Sequence, residues 1–93
     1  MSDVVYRLGG KFSLLEGWVG VDDEVPKGRG SVVFEIYGDE HLLWRSPVMR
    51  GGDAARRMLV AIKGVQLLPL HVEDAGDGIA YDHADWAELR VRR

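Results

Sequence analysis

The chain has 93 residues, a mass of 10.4 kDa and a net charge of −3, which suits one small domain. It contains no cysteine, and this excludes a disulfide framework and a cysteine-ligated zinc site. Leu, Ile, Val and Phe supply 27 residues, too many for charge-driven disorder. The weak acidity argues against general affinity for nucleic acids or anionic membranes. The first residues do not have the pattern of a signal peptide, and no apolar run approaches the ~20 residues of a membrane span.

The distribution of apolar residues predicts β-strands along the whole chain. Val is the commonest apolar residue, with twelve copies, and β-branched side chains favour strands. Apolar residues recur mainly at every second position, which is the period of a half-buried strand. We therefore predict seven strands, at residues 4–8, 12–21, 31–37, 40–45, 58–63, 65–73 and 86–92. Residues 54–57 could begin a helix, but that segment is too short to be stable alone.

The strand pattern predicts the architecture and one irregularity in it. Short strands separated by Gly- and Asp-rich turns are typical of an all-β fold, an antiparallel β-sandwich. Pro69 cannot donate a ladder hydrogen bond, so its strand is expected at a sheet edge or with a bulge there. The longer loops, at residues 22–30, 47–56 and 74–85, are expected to gather at the sheet ends, where binding sites are commonly built.

The densest polar feature is residues 73–85, which hold five carboxylates and no Lys or Arg. Several oxygen ligands on one loop favour Ca²⁺, which takes 6–8 of them. The spacing does not match the EF-hand loop, however. The alternative is that the Asp residues cap backbone amides in turns, with His83 and Asp85 in a local hydrogen-bond network. Both interpretations remain open from the residues alone.

Aromatic side chains indicate where a sugar would stack, because the C–H face of a pyranose packs on an exposed ring. The alternation suggests that Trp44 and Trp86 belong to the core. Trp18 is out of phase with Val19 and its apolar partners, so we predict that it is exposed. Tyr81, inside the acidic loop, is a second candidate platform.

Other classes of site find little support. Arg residues at positions 45, 50, 56 and 57 form a basic cluster in the sequence, for which a phosphate ligand or ion pairing with the acidic loop is conceivable. The three histidines have no zinc-enzyme spacing, and no serine stands in a nucleophile elbow. Two loop carboxylates could form a glycosidase pair only across a cleft that so small a sandwich hardly provides. We predict no catalytic residues.

Six ordered blocks of sequence resemble a known family. They lie at residues 6–12, 19–24, 30–38, 51–54, 74–78 and 82–87, and the last contains Asp-His-Ala-Asp-Trp. Together they resemble the NPCBM/NEW2 family, which is related to family 51 carbohydrate-binding modules. The resemblance covers nearly the whole chain from Tyr6 onward. It implies a galactose-binding-like jelly roll that binds galactose-containing glycans without catalysis, as an accessory domain of secreted glycoside hydrolases.

The resemblance also implies roles for particular residues. Asp22, Asp82 and Asp85 lie in motif blocks and become candidates for a structural cation, Ca²⁺. Independently of the resemblance, we predict Trp18 and Tyr81 as stacking platforms for the sugar, and His83 as a polar contact, because the chain has no Asn and a single Gln to bind hydroxyl groups.

One departure from the family leads to a second hypothesis. The family's N-terminal segment, with a first strand and a Gly-x-His element, is not matched in this sequence, so we expect a jelly roll that lacks that strand. The sheet edge left in this way suggests the alternative function, a protein-interaction or dimerisation sandwich that has lost the sugar.

Overall fold

A computed structural model of the chain describes residues 2–21, 31–74 and 84–93, and nothing in these ranges is helical. The antiparallel all-β architecture predicted from the sequence is confirmed. In chain order the strands are β1 Ser2–Arg7, β2 Leu14–Val21, β3 Ser31–Gly38, β4 His41–Arg45, β5 Met49–Arg50, β6 Arg56–Ala61, β7 Leu67–Asp74 and β8 Ala84–Arg92. All seven predicted strands are present, and the two-residue β5 is additional. No helix in the described ranges is long and apolar enough to cross a membrane.

The strands form two sheets. The larger has the order β1-β7-β3-β4, with β5 paired to β3, and the smaller has the order β6-β2-β8. The prediction that the strand with Pro69 lies at a sheet edge or has a bulge there is wrong, because β7 lies between β1 and β3 and its register with β1 is unbroken at Pro69. Pro69 is tolerated there since the pairing of β7 with β3 extends only to Leu70, one residue away. Opposite Val5 of β1, Pro69 still keeps its place in the register.

The core is the space between the two sheets. Phe34 and Ile36 of the larger sheet and Val19 of the smaller one are at most 1% exposed. Each fully buried side chain of this size contributes roughly 1.5–3 kcal/mol to folding. Phe34 also makes an edge-to-face contact with Trp86, with ring centroids 5.0 Å apart. Trp86 and Trp44 both pack against the core, as the alternation predicted.

A bulge in β8 adjusts which of its residues face inward. Glu88 has a φ of 52°, and the pairing with β2 shifts so that Glu88 and Leu89 together oppose Gly17. Leu89 thereby turns toward the core and lies over Gly17, where an added Cβ would come within 2.8 Å of its Cδ2 atom. Beyond the bulge, Arg90 returns to the outer face opposite Glu16.

The described residues that flank all three predicted loops lie at one end of the sandwich. At this end Val21 pairs with Ala84 in the smaller sheet, and Ser31 pairs with Arg50 in the larger one. The short segment 51–55 connects the two sheets there. Residues 22–30 and 75–83 lie outside the described residues, so the expectation that the longer loops gather at this end stays a prediction, which the strands on either side support.

The turn between β3 and β4 is anchored to the beginning of β7 by Asp39. Asp39 and Glu40 both have positive φ, as in the two-residue turns that suit hairpins. The Asp39 carboxylate accepts hydrogen bonds from the backbone N–H groups of Gln66, at 3.0 Å to Oδ2, and Leu67, at 2.9 Å to Oδ1. These two bonds, Gln66 first, lower the pKa of Asp39.

This lowered pKa predicts an acid-sensitive contribution to stability. A carboxyl whose pKa is lower in the folded than in the unfolded chain stabilises the fold above its unfolded pKa and loses that effect as the pH falls through the folded pKa. We expect Asp39→Asn, which tolerates the same positive φ, to unfold at lower urea concentration near neutral pH. Below the ordinary pKa range of Asp, its unfolding midpoint should converge with that of the wild type.

Urea titrations from neutral to strongly acidic pH would measure this convergence. Glu40→Gln is the matched control, because it removes the neighbouring charge without those hydrogen bonds. Parallel pH profiles for the wild type and Asp39→Asn would contradict the assignment.

Candidate functional site

Trp18 lies at the centre of the outer face of the three-stranded sheet. The neighbours of Trp18 on β2, Gly17 and Val19, are buried, whereas the Trp18 residue is 38% exposed. In register it lies between Arg57 of β6 and Ala87 of β8. The prediction that Trp18 is the exposed tryptophan is confirmed.

An open groove of about 580 Å³ lies along one side of Trp18, toward the end of the sandwich where the loop-flanking residues meet. Half of the residues that line it are Gly or Ala, namely Gly20, Gly52, Ala54, Ala55 and Ala87. A Cβ added to Gly20 would lie 3.6 Å from the Ala55 Cβ, which is an ordinary contact distance. The groove is open at this point because neither residue has a larger side chain. We call this feature the Trp18 groove. Because the Trp18 groove is lined largely by small residues, the ring of Trp18 is the largest side-chain surface that a ligand in it can contact.

Two carboxylates complete the lining of the Trp18 groove. Asp85 is exposed and lies opposite Gly20 in the β2–β8 register. Asp53 also lines the groove, and its Oδ2 accepts a 2.8 Å hydrogen bond from the Arg50 backbone N–H. Asp53 therefore stabilises its own turn, and both carboxylates are exposed to solvent.

On its other side Trp18 borders an ion-paired pocket of about 270 Å³. Glu16 accepts hydrogen bonds from Arg92, at 3.0 Å from Nε and 2.9 Å from Nη2, and lies 3.5 Å from Arg57 Nη2. The hydrogen bond from Arg92 is the main reason that the pKa of Glu16 is lowered. Both arginine side chains remain more than half exposed, so their free N–H groups are available beside the tryptophan ring.

This arrangement has the chemistry of a shallow sugar site. An exposed indole face provides an apolar platform, and a carboxylate and guanidinium groups near it can accept and donate hydrogen bonds to hydroxyl groups. The small residues keep the platform accessible from one side. A groove of this kind is suited to binding.

Of the six residues predicted for the site, the structure brings two together. Trp18 and Asp85 line the same groove. Tyr81, His83, Asp22 and Asp82 lie outside the described residues, so their predicted roles stay predictions.

The predicted basic cluster is divided between the two sheets, with Arg45 and Arg50 on strands of the larger sheet and Arg56 and Arg57 on β6 of the smaller one. Arg45 lies 3.6 Å from Glu35 on the larger sheet, whereas Arg57 pairs with Glu16 on the smaller one. The cluster was predicted from proximity in the sequence, but the chain passes from the larger sheet to the smaller one between β5 and β6. These two arginines pair with carboxylates of strands, whereas the sequence suggested the acidic loop.

Sequence reasoning missed the small residues of the groove and the ion-paired pocket. The segment 51–54 had been noted as a motif block, but a run of Gly and Ala carries no chemical signal of its own. The pairing of Glu16 with Arg92 joins residues 76 positions apart. Only the register of β2 with β8 reveals it.

Comparison with known proteins agrees with this fold. The family model described as the NPCBM/NEW2 domain matches residues 1–92. The chain is 42% identical over 77 residues to the alpha-1,3-galactosidase B of Akkermansia muciniphila, covering 81% of this chain and 9% of that protein. A Renibacterium salmoninarum protein named as an endo-alpha-N-acetylgalactosaminidase is 34% identical over 89 residues, or 96% of this chain and 6% of that one. The chain thus spans less than a tenth of these relatives.

Solved structures of the same architecture exist. The CBM51-2 domain of Clostridium perfringens ZmpB, solved in complex with GlcNAc, has a TM-score of 0.86 and 32% identity, over 98% of this chain and 20% of that one. The CBM51 domain of Clostridium perfringens GH95, solved with methyl-galactose, has a TM-score of 0.83 and 33% identity, over 96% and 63% of the two chains. A jelly-roll sandwich of the CBM51 type is thereby shown, and the chain belongs to the NPCBM/NEW2 family of carbohydrate-binding modules.

Proposed function

We propose that the chain is a non-catalytic module that binds galactose-containing glycans in the Trp18 groove. The observation that carries the proposal is the convergence of an exposed tryptophan, an exposed aspartate and a floor of small residues at one end of the sandwich. A pyranose ring stacks there on Trp18, and its hydroxyl groups bond to Asp85 and to exposed arginine N–H groups.

The relatives support the class of ligand. One CBM51 structure holds methyl-galactose and another holds GlcNAc. The chain's matches to a galactosidase and to a protein named as a galactosaminidase cover 9% and 6% of those proteins. A segment of that size is an accessory to the enzyme, and we propose the same relation here, with a glycoside hydrolase as the parent protein.

The geometry sets the expected strength of binding. The groove is open and shallow, and one stacked ring buries little surface against the entropy lost on association. Affinity for a monosaccharide should therefore be weak. Binding would become useful through repeated attachment to a multivalent glycan surface, where the effective concentration of sugar is high.

We expect Trp18→Ala to weaken binding of galactose at least about fivefold, because a loss of about 1 kcal/mol of stacking on the aromatic ring corresponds to that factor and the lost apolar contact area adds to it. The measurement is an NMR titration with galactose, N-acetylgalactosamine and GlcNAc, following backbone amide shifts around β2 and β8. Gly20→Val is a second variant that retains the platform and fills the groove, and it should reduce binding similarly.

Tyr6→Ala is the matched control. Tyr6 is also an exposed aromatic residue, at 47%, but it lies on β1 and outside the Trp18 groove. Its removal should leave the sugar-induced shifts intact. If Tyr6→Ala and Trp18→Ala bind sugar equally well, the groove is not the site. If the wild type shows no shift with any of the three sugars, the proposed function fails.

We also propose a structural Ca²⁺ near Asp85. Asp85 is exposed, and Ala84 just before it pairs with Val21, the residue that precedes Asp22 in the sequence. Carboxylates from two chain segments that run side by side are the donors Ca²⁺ prefers. Asp22 and Asp82, the remaining predicted ligands, lie outside the described residues.

If Ca²⁺ binds the folded chain and not the unfolded one, it stabilises the fold by about 2.7 kcal/mol at a free concentration a hundred times the Kd. The melting temperature of the chain should then rise. Thermal unfolding in Ca²⁺ and in EDTA measures this, and Asp85→Asn should reduce the difference. Identical melting in both solutions would favour the other interpretation, in which these Asp residues only cap turns.

The edge of the larger sheet favours a second candidate function, self-association. Among the described strands β1 has a neighbour on one side only, and Val4 and Val5 on it are 45% and 56% exposed. An apolar edge strand is a template for pairing with another chain. Light scattering behind a sizing column distinguishes the two functions. A monomer that responds to sugar supports the glycan module, whereas a dimer that Val5→Lys dissociates and that ignores sugar supports association.

A further inference from the structure

A second polar cluster lies on the opposite side of the molecule, on the outer face of the larger sheet. It consists of Glu35 on β3 and His71 and Glu73 on β7, whose ligand atoms all lie within 4.8 Å of one another. None of them belongs to the Trp18 groove. Their neighbours in sequence, among them Phe34, Leu70 and Val72, fill the core, so alternation requires the cluster to face outward.

The backbone fixes these three side chains in relation to one another. Glu35 lies directly opposite His71 in the β3–β7 register. His71 and Glu73 are two residues apart on one strand, so they project from the same face of the sheet. A cross-strand pair with a diagonal neighbour brings three side chains together without any loop. The strands that hold them are both internal to the sheet, so the arrangement is rigid.

Glu35 is an unusual residue for an outer face. Its side chain is only 8% exposed, and burying a carboxylate is unfavourable unless positive groups or hydrogen bonds compensate it. The contacts it makes are long. The Tyr37 hydroxyl donates to Oε1 at 3.3 Å, Arg45 Nε lies 3.6 Å from Oε2, and His71 Nε2 lies 3.8 Å from Oε1. A metal cation bound directly to the Glu35 carboxylate would compensate its buried charge better than these long contacts do.

We propose that Glu35, His71 and Glu73 form a binding site for a transition-metal ion of the zinc class. One imidazole and two carboxylates are donors that Zn²⁺ accepts, and three protein ligands leave a position for water. Ligands in a tetrahedral zinc site lie about 3.3–3.5 Å apart, given bond lengths of about 2.0–2.1 Å. The present spread of 4.8 Å closes to that distance by rotation of side chains, above all that of the exposed Glu73.

The imidazole distinguishes this site from the calcium site proposed near Asp85. Ca²⁺ requires 6–8 oxygen ligands, and two carboxylates beside a nitrogen donor do not provide them. Arg45 is the competitor for the same position, since its guanidinium group lies beside Glu35 with a side chain that is 57% exposed. An exposed arginine can swing away when the metal enters, at a small cost.

The test is calorimetric titration of the untagged chain with zinc chloride, together with absorption spectra after addition of cobalt(II). We expect saturable binding of one zinc ion and visible cobalt bands of low coordination number. His71→Ala should weaken zinc binding at least about tenfold, and Glu73→Gln should do so too, since even residues behind a metal's ligands change affinity by 10- to 100-fold. Arg45→Gln should strengthen it, because it removes the competing charge.

His41→Ala is the matched control, since His41 is exposed on β4 and outside the cluster. Amide spectra of each variant confirm that it is folded, and Glu73→Gln is a change at an exposed position. Zinc binding that persists unchanged in His71→Ala and Glu73→Gln would overturn the proposal. So would loss of binding in His41→Ala, or the absence of zinc binding by the wild type. Sugar titrations decide the Trp18 groove separately.

Discussion

The alternation of β2 is the constraint on which the groove depends. β2 is the middle strand of the smaller sheet, and Leu15, Val19 and Val21 fix one of its faces in the core. A shift by one residue would bury Trp18 and expose this apolar set, so the register tolerates no slippage. Every outward side chain on β2 is therefore positioned by the inward-facing residues of the same strand. The strand that forms the floor of the groove is held in place because its opposite face packs in the core.

The bulge in β8 extends this constraint to the ion-paired pocket on the other side of Trp18. Without it, strict alternation would place Leu89 outward and Arg90 inward. The extra residue, with the positive φ of Glu88, turns Leu89 over Gly17 and returns Arg90 to the outer face. One irregularity thus supplies a core side chain and an arginine beside the tryptophan. Bulges near binding sites commonly redirect side chains in this way.

Local patterns in the sequence predicted the strands, the sandwich and the exposure of Trp18, because each depends on the period of nearby residues. The residues did not predict what depends on register between distant strands. Glu35 and His71 were placed on their strands, but nothing in either segment pairs them across the sheet. Pro69 was misplaced for a related reason, since the extent of a ladder is decided by the partner strand.

The absence of Asn limits the kinds of hydrogen bond that the chain can offer to a sugar. Amide side chains bind hydroxyl groups as neutral donors and acceptors, and this chain offers one Gln for that purpose. Beside Trp18 the polar side chains of the described residues are charged, among them Asp53, Asp85 and the arginines paired to Glu16. Charge-assisted hydrogen bonds are stronger than neutral ones but fall in strength when water has free access. A shallow, open groove therefore gives each of these groups only part of its possible strength. In the proposed site, specificity among sugars would then depend on the direction of the hydroxyl groups relative to the tryptophan ring, which the sheet holds in place.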